Sequence, residues 1–431
     1  MEPEATAARR RFDLLATTRG RRVLFAALYF SEGAPIGYVW WALPTRLRDA
    51  GVPIEQVTAL SALLTIPWTL KFLWAPLIDS LRPRRLGLRA WIIGAQIAMG
   101  LSLIPVARIP IPEGYELLLG FLLVHAFCAA TQDVSVDALA IASIPSGERG
   151  VTTGVMQVAM VMGRATFGGV ALALERKIGG ATVIYLLVAA VWSSALLVAF
   201  GAHGAAGGSA SGSIAVRFQR FRSTFAGVFR MPQTWMGFAI ACLAGAGMEA
   251  TGTVAGPLLI DRGWSKEAVG QFFAMPAVIC MATGALVGGN FSDRLRREGA
   301  LAISVCLLAL AVVGVGAATT LGTDAGLLAA LSVTYFCFGA FTAASYALYM
   351  ELTNPALGGT QFSAFMGAVN LCSVWSAWVV GRLVARFDYS LALSAMAAAS
   401  LLALPLILLL HARRARWSAD WANEIREGEH A

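Results

Sequence analysis

The sequence places eight ionisable side chains inside long apolar segments. They are Glu32, Lys71, Asp133, Asp137, Arg164, Glu249, Glu351 and Arg382. A charge near the centre of a membrane helix costs about 2.5–3.5 kcal/mol on insertion scales, so it is tolerated where it faces another charge or a water-filled path. We expect Arg382 to reach the outer interface and assign it no role. The other positions are candidates for binding a proton, an ion or a polar solute, or for pairing with another charge.

Depth in the membrane separates these candidates. At 1.5 Å of rise per residue, Glu32 lies about 15 Å beyond Arg22, and Asp133 lies about 18 Å from the cytoplasmic end of its segment. The same count makes Glu249 central and Arg164 deep. We predict Glu32 and Asp133 as the main sites of protonation and substrate coupling. The alternative is a carboxylate locked in a static ion pair with Arg164.

The remaining polar residues extend these predictions to two sets. The predicted proton-coupling and substrate-binding set is Glu32, Asp133, Arg164, Glu249, Gln132 and Lys71. The predicted cytoplasmic gate is Asp79, Arg84, Arg85, Asp137, Asp293, Arg297 and Glu351. Arg164 is equally a candidate partner for a substrate carboxylate or for Asp133. Asp137 and Glu351 lie nearer the cytoplasm, and we expect them to pair with loop arginines.

Aromatic and glycine-rich positions have simpler interpretations. Four tryptophans lie in the first two apolar segments: Trp40, Trp41, Trp68 and Trp74. Tryptophan is enriched at membrane interfaces, which favours a belt over a platform that stacks on a sugar ring. We interpret His125 as a packed histidine, and Gly245-Ala246-Gly247 as a packing feature of its helix.

Several classes of site find no support in the sequence. The three lysines, Lys71, Lys177 and Lys266, do not belong to a G-x-x-x-x-G-K-[ST] loop, which argues against direct ATP-driven pumping. The six cysteines form no C-x-x-C pair, and no Ser/His/Asp or metal-ligand set can be assembled. The basic residues form short clusters, not the continuous stripe of a nucleic-acid-binding protein. We therefore expect neither an enzyme nor a bound metal or cofactor.

The elements that position the ionisable groups are predicted to be membrane helices. Of the 431 residues, 58% are hydrophobic and 13% are charged, against about 45–50% and 25% in an ordinary soluble protein. About 20 apolar residues cross the hydrocarbon core. By that measure we predict twelve spans: 22–45, 56–79, 90–107, 115–143, 149–174, 180–201, 232–259, 267–291, 300–320, 325–352, 359–385 and 389–410. The predicted fold class is an all-α membrane protein of about 12 helices.

The spans form two sets of six, predicted to be pseudo-symmetric bundles. The predicted organisation is a cytoplasmic segment 1–21, a bundle 22–201, a cytoplasmic linker 202–231, a bundle 232–411 and a cytoplasmic tail 412–431. In the linker, phenylalanines at helical spacing among arginines predict an amphipathic helix on the membrane surface, an ordinary solvated linker being the alternative. Two such bundles are typical of secondary transporters that bind substrate near the midplane.

Charge distribution and an internal repeat support this organisation. With the N-terminus inside, 22 basic residues fall in cytoplasmic segments and 8 in outer ones, which predicts that both termini are cytoplasmic. Gly51 recurs as Gly263 at an offset of 212, and Asp79 recurs as Asp293 at an offset of 214. The repeat indicates two related halves.

Three segments resemble the muropeptide permease (AmpG-type) branch of the major facilitator superfamily. They are LYFSEGAP at 28–35, IPWTLKFLWAPLID at 66–79 and ATQDVSVDA at 130–138. Asp79 with the following arginines resembles the loop motif of the superfamily, with Ser80 and Ala75 where the motif has Arg and Gly. The segment Gly359-Thr360-Gln361-Phe362, before the eleventh span, also fits the pattern of the muropeptide permease branch.

The resemblance implies proton-linked import of anhydro-sugar muropeptides across a bacterial inner membrane by alternating access. The positions of this sequence that match the family's motifs, and that the resemblance therefore implicates in transport, are Glu32, Lys71, Asp79, Gln132, Asp133 and Asp137. Acetyl-CoA transporters are similar in the same motifs, so transport of acyl-CoA, a drug or a siderophore stays open. A membrane sensor that does not transport a solute is a further alternative. The expected partners are a small-molecule substrate, protons and the lipid bilayer, and the expected state is a monomer.

Overall fold

The computed structural model describes residues 13–75, 78, 87–145, 148–202, 232–353 and 358–413. Over these residues the chain is helical and contains no β-strand. Ten of the described helices are long and apolar enough to cross a membrane. The predicted all-α membrane fold is therefore confirmed. Some predicted features lie outside the described residues: the linker helix, most of the tail and the gate residues Asp79, Arg84 and Arg85.

The helices follow the twelve predicted spans, which keep these numbers below. Span 1 consists of Thr18–Gly37, Tyr38–Ala42 and Leu43–Asp49, span 2 of Ile54–Leu70 and Lys71–Leu73, span 3 of Leu88–Val106, span 4 of Tyr115–Ser143, span 5 of Arg149–Arg164, Ala165–Val170 and Ala171–Ile178, and span 6 of Gly180–Gly201. Span 7 consists of Pro232–Leu243 and Ala246–Asp261, span 8 of Lys266–Ala274 and Pro276–Arg294, span 9 of Arg297–Leu321, span 10 of Asp324–Leu352, span 11 of Gly358–Arg386, and span 12 begins with Tyr389–Leu401.

Spans 1 and 2 are helical but are not among the ten apolar helices. The first α-helix of span 1 contains three arginines near its start as well as Ser31 and Glu32, and these residues lower its mean hydropathy. The α-helix of span 2 ends after 17 residues, at Leu70, and continues as a 3₁₀ turn. Both deviations occur where the sequence places its polar candidates.

The contacts of the chain define two compact units. The first contains the described residues up to 202 together with 252–278, and the second contains 232–251 together with the described residues from 279 onward. The later part of span 7 and the beginning of span 8 therefore pack with spans 1–6. The division into two six-helix bundles stays a prediction.

Glycines allow spans 1 and 5 to pack closely in the first unit. A Cβ at Gly33 would overlap the backbone of Met160, and one at Gly37 would overlap the backbone of Arg164. Gly163 of span 5 lies as closely against the backbone of span 1. Small residues at such crossings let two membrane helices make backbone contact. This contact fixes span 5 next to the part of span 1 that carries Glu32.

Both of these spans contain a stretch of π-helix. In span 1 the stretch is Tyr38–Ala42, and in span 5 it is Ala165–Val170. The two stretches pack against each other. A π-helical turn holds more residues than an α-helical turn and is frequent at functional sites.

The internal repeat has a counterpart in the backbone. Gly51 and Gly263 end spans 1 and 7 with φ values of +86° and +82°. The N–H of Val52 donates to Leu47 at 3.0 Å, and the N–H of Trp264 donates to the carbonyl five residues before it at the same distance. Glycine adopts this left-handed conformation without strain, so both spans end in the same Schellman motif.

Candidate functional site

A buried ion pair joins spans 2 and 4. The Nζ atom of Lys71 lies 2.5 Å from Oδ2 of Asp133, and the Asp133 side chain is 10% exposed. Lys71 begins the 3₁₀ turn that follows the α-helix Ile54–Leu70 of span 2, and this turn packs against span 4. The sequence analysis named Arg164 as a candidate partner of Asp133, and the structure identifies Lys71 as a partner. A charge-assisted contact of this length is among the strong polar interactions of proteins.

Asp137 belongs to the same site. Its Oδ1 atom accepts a hydrogen bond from the Tyr29 hydroxyl of span 1 at 2.6 Å. Asp133 and Asp137 are four residues apart and so share one face of span 4. The sequence analysis assigned Asp137 to the cytoplasmic gate and did not single out Tyr29, because a tyrosine in an apolar segment gives no distinct signal.

Glu32 faces these acids from span 1. The residue is 7% exposed, and its Oε2 atom has no hydrogen-bond partner among the described residues. Glu32 interacts electrostatically with Asp133 and Asp137 and with the cations Lys71 and Arg164. Three carboxylates and two cations therefore lie within one electrostatic cluster of the first unit, which we call the central cluster.

An amide network packs beside the central cluster. The Nε2 atom of Gln96 lies 3.3 Å from the Ser31 hydroxyl and 2.6 Å from the Ser194 hydroxyl, and Gln132 Nε2 lies 3.4 Å from Ser31. Both hydroxyls donate to carbonyl groups of their own helices, so they can only accept from the amides. Gln132, predicted to bind substrate, therefore orients span 1 next to Glu32 in this structure.

Arg164 lies in the last turn before the π-helical stretch of span 5. Its Nη2 atom contacts the Sδ atom of Met160 at 3.7 Å, and its charge acts on Glu32. Its predicted partners were a substrate carboxylate or Asp133, and this pairing stays a prediction. In the structure, Arg164 contributes a positive charge at the border of the central cluster.

Glu249 lies in the second unit, directly after an interruption of span 7. The interruption occupies Ala244 and Gly245. The interpretation of Gly245-Ala246-Gly247 as a packing feature stays a prediction, since a Cβ at Gly245 or Gly247 would have its nearest neighbours at 3.5 and 3.4 Å. The segment also coincides with a break in the helix.

Three described members of the predicted gate, Asp293, Arg297 and Glu351, form a small ionic group in the second unit. Arg297 Nη1 lies 2.8 Å from Asp293, and its Nε atom lies 3.4 Å from Glu351. The expected pairing of Glu351 with a loop arginine is therefore present. These side chains are partly exposed, as ion pairs at a membrane surface usually are.

A second ionic group, which we call the clasp, joins the ends of spans 1, 7 and 8. Arg48 donates from Nε and Nη2 to the two carboxylate oxygens of Asp261 at 2.6 and 3.0 Å. Lys266 Nζ lies 3.1 Å from Asp49. All four residues belong to the first unit. The sequence analysis missed the clasp, although it flanks the repeated Gly51 and Gly263 motif.

Glycines bring spans 5 and 8 together near the clasp. A Cβ at Gly169 would overlap the backbone of Ala274, and one at Gly270 would overlap the backbone of Ala173. Trp41 of span 1 stacks on Phe273 with 5.4 Å between ring centroids. These contacts pack span 8 against spans 1 and 5 without intervening side chains at the crossing.

The start of span 1 is held to the loop before span 5. Arg21 donates to both carboxylate oxygens of Glu148, and the Thr18 hydroxyl donates to Oε1 at 2.8 Å. These hydrogen bonds, that from Arg21 first, lower the pKa of Glu148 below its ordinary value. The contact orders the beginning of the helix that carries Glu32.

Two other predicted residues have defined surroundings. His125 is buried, and its Nδ1 atom lies 3.2 Å from the carbonyl oxygen of Met99, in agreement with its interpretation as a packed histidine. Trp40 packs edge-on against Trp68, with 5.4 Å between the ring centroids.

Over the described residues, no group of three His, Cys, Asp or Glu side chains is placed to hold a metal ion.

Comparison with known proteins assigns the fold to a family. Residues 25–377 match the Major Facilitator Superfamily. The chain belongs to the Major Facilitator Superfamily. It is therefore a multi-pass membrane protein, and its relatives within this superfamily are transporters.

Curated members of the superfamily include similar permeases. The chain is 25% identical to the anhydromuropeptide permease of Escherichia coli K12 over 381 residues, which cover 86% of this chain and 75% of the relative. It is 24% identical over 168 residues to the putative transporter AmpG 3 of Rickettsia typhi, covering 38% of this chain and 37% of that protein. The resemblance stated from the sequence is confirmed.

Solved structures of the superfamily share the fold. The nucleoside transporter NupG matches with a TM-score of 0.70 at 14% identity, over 91% of this chain and 99% of that one. A D-xylose–proton symporter matches with a TM-score of 0.67 at 13% identity, over 90% and 95% of the two chains. At such identities the likeness concerns the major facilitator fold alone.

Proposed function

We propose that this protein is a proton-coupled secondary transporter that imports muropeptides, built from an anhydro-sugar and a short peptide, across a bacterial inner membrane. The observation that carries the proposal is the central cluster, in which Glu32, Asp133 and Asp137 face Lys71 and Arg164 inside a membrane protein. Its similarity to an anhydromuropeptide permease supports the substrate class.

The charge balance of the central cluster explains why a proton would be carried. With all five groups ionised, the three carboxylates exceed the two cations by one negative charge. Since charge inside the membrane is costly, one proton bound by the cluster makes it neutral. Glu32 is the best candidate acceptor, because Asp133 is paired with Lys71 and Asp137 accepts from Tyr29.

Substrate binding would use the same groups. A muropeptide carries carboxylates and amines as well as sugar hydroxyls. A substrate carboxylate could draw Arg164 or Lys71 away from the acids, and this exchange would release the proton or take it up. Binding and protonation are then linked, because both change the same charge balance.

Alternating access gives the clasp a role in the cycle. We assign the end of the spans that carries the clasp to the periplasmic side, with both termini in the cytoplasm. Opening toward the periplasm requires Arg48 and Lys266 to leave Asp261 and Asp49. Partly exposed ion pairs are worth about 0.2–1 kcal/mol each, which makes the clasp a contact that can open reversibly.

Uptake into proteoliposomes tests the proposal. The purified protein is reconstituted, and the entry of a radiolabelled anhydromuropeptide is measured with and without an inward proton gradient. We expect gradient-driven uptake that Glu32→Gln and Asp133→Asn abolish, and that Asp324→Asn, at an exposed acid in the first turn of span 10, leaves unchanged. Labelled acyl-CoA and nucleosides serve as competing substrates.

Specific outcomes would contradict the proposal. Uptake that is indifferent to the gradient would refute proton coupling, and the same measurement with a sodium gradient would reveal a different driving ion. Uptake of acyl-CoA in preference to the muropeptide would refute the substrate. Full activity of both Glu32→Gln and Asp133→Asn would exclude the central cluster as the coupling site.

A further inference from the structure

The break in span 7 exposes backbone groups inside the membrane. Pro232–Leu243 and Ala246–Asp261 are separated by the turn at Ala244 and Gly245. In a continuous helix the N–H of Gly247 would donate to the carbonyl four residues earlier. An unsatisfied backbone group in the hydrocarbon region costs several kcal/mol, so a broken helix persists only where other groups satisfy it.

Two side chains from other spans bind the two edges of the break. The Nε1 atom of Trp375 in span 11 donates to the carbonyl oxygen of Cys242 at 2.9 Å. The hydroxyl oxygen of Ser400 in span 12 accepts from the N–H of Gly247 at 2.8 Å. Ser400 is fully buried. We call this pair of hydrogen bonds the span-7 clamp, and all four of its residues belong to the second unit.

The clamp acts next to Glu249. The N–H of Glu249 donates to the carbonyl of Gly245 at 2.9 Å, so the acid belongs to the first turn after the break. The thiol of Cys372 in span 11 interacts with the backbone of Gly245 and with the charge of Glu249. The titratable groups that interact with this thiol are those of Glu249, Cys242 and Tyr349, and Tyr349 also interacts with Tyr346.

We propose that Trp375 and Ser400 are positioning residues that hold span 7 in its broken form and thereby fix the location of the Glu249 carboxyl. Discontinuous membrane helices of transporters place ion- and substrate-binding groups near the midplane. The clamp itself follows from the hydrogen bonds. The functional part of the inference, that Glu249 takes part in coupling, rests on the proposed function.

Hydrogen exchange tests the clamp independently of transport. Exchange of the peptide covering residues 243–250 is followed by mass spectrometry in Ser400→Ala and Trp375→Phe. We expect exchange to rise about two- to tenfold, the factor that loss of one hydrogen bond implies. Matched controls are Ser394→Ala, whose hydroxyl donates within its own helix, and Trp378→Phe, whose ring is half-exposed. Unchanged exchange in both clamp variants would overturn the clamp.

A double-mutant cycle tests the positioning of Glu249. Uptake kinetics and their pH dependence are compared for Trp375→Phe, Glu249→Gln and the double variant. We expect Trp375→Phe to lower kcat and displace the pH profile in the wild-type background, and to have no further effect when Glu249 is Gln. An equal loss in both backgrounds, or a silent Glu249→Gln, would overturn the positioning role. The exchange measurement would still decide whether the clamp exists, and failure of uptake in the unmodified protein would count against the proposed function instead.

Discussion

The guanidinium group of Arg48 spans both carboxylate oxygens of Asp261, 213 residues further along the chain. This bidentate geometry is the strong form of an arginine–carboxylate contact. It connects the last helical turn of span 1 with the last turn of span 7, directly before the two equivalent glycines. The contact therefore ties together the two helix ends that the internal repeat relates.

Reversing the charge of Arg48 should open this end of the protein. In Arg48→Asp, a carboxylate replaces the cation beside Asp261. The test residue is Thr45→Cys in a background without the native cysteines, because Thr45 is fully buried beside Gly256. We expect a membrane-impermeant maleimide to label it roughly two- to fivefold faster, as expected for the loss of one exposed ion pair. The swapped pair Arg48→Asp with Asp261→Arg should restore slow labelling, and equal rates in all variants would contradict the role of the clasp.

Adding one methyl group at Gly270 should separate spans 5 and 8. The Cβ of Gly270→Ala would overlap the backbone of Ala173, which cannot rotate away as a side chain can. Overpacking of this kind costs about 1–3 kcal/mol. We therefore expect Gly270→Ala to lower the unfolding temperature of the protein measured in detergent. Gly289→Ala, in the same span with open space around it, should unfold like the unmodified protein, and an equal effect of both variants would show that the crossing is not responsible.

Removing one member of the Lys71–Asp133 pair should destabilise the protein more than removing both. Breaking a buried ion pair leaves an uncompensated charge and costs about 3–5 kcal/mol, whereas replacing both partners by neutral groups is often close to neutral. We therefore expect Lys71→Met, which leaves three carboxylates facing Arg164 alone, to unfold at a lower temperature than Lys71→Met with Asp133→Asn. Uptake should be lost in both variants. A double variant that is less stable than the single one would argue against a buried pair.

The Glu148 contact should make stability depend on pH. Because hydrogen bonds from Arg21 and Thr18 lower the pKa of Glu148 in the folded protein, its contribution is complete above the ordinary pKa of a glutamate. It is lost as the pH falls through the lower, folded-state pKa. Glu148→Gln should therefore lower the unfolding temperature at pH 7, and the difference should vanish in acid. A difference of constant size across this range would show that the carboxylate charge is not involved.

Most of the spans could be predicted because they are long apolar runs with clear ends. Spans 4 and 6 begin and end at the predicted residues, 115–143 and 180–201, since a glycine precedes or opens each helix. The break in span 7 could not be predicted in this way, because its residues are apolar or small throughout. What stabilises the break is Trp375 and Ser400, more than a hundred residues later in the sequence.

The site was only partly predictable for a similar reason. Composition and depth singled out Glu32 and Asp133, because charged residues are conspicuous among apolar ones, but depth assigned Asp137 to the cytoplasmic gate. Their partners depend on how each helix is rotated about its axis, and the nearly uniform apolarity of the spans does not define that rotation. The pairing of Asp133 with Lys71 and that of Asp137 with Tyr29 therefore required the structure.

The π-helical stretch of span 1 lies between Glu32 and Arg48. Conversion of its wide turn into ordinary α-helix would shift the register of everything beyond it by one residue, which corresponds to a rotation of about 100° and a translation of about 1.5 Å. The far end of the helix would then turn about its axis while the half that carries Glu32 stayed in place. The π-helical stretch therefore marks the position in span 1 at which such a rotation would occur, and it packs against the π-helical stretch of span 5.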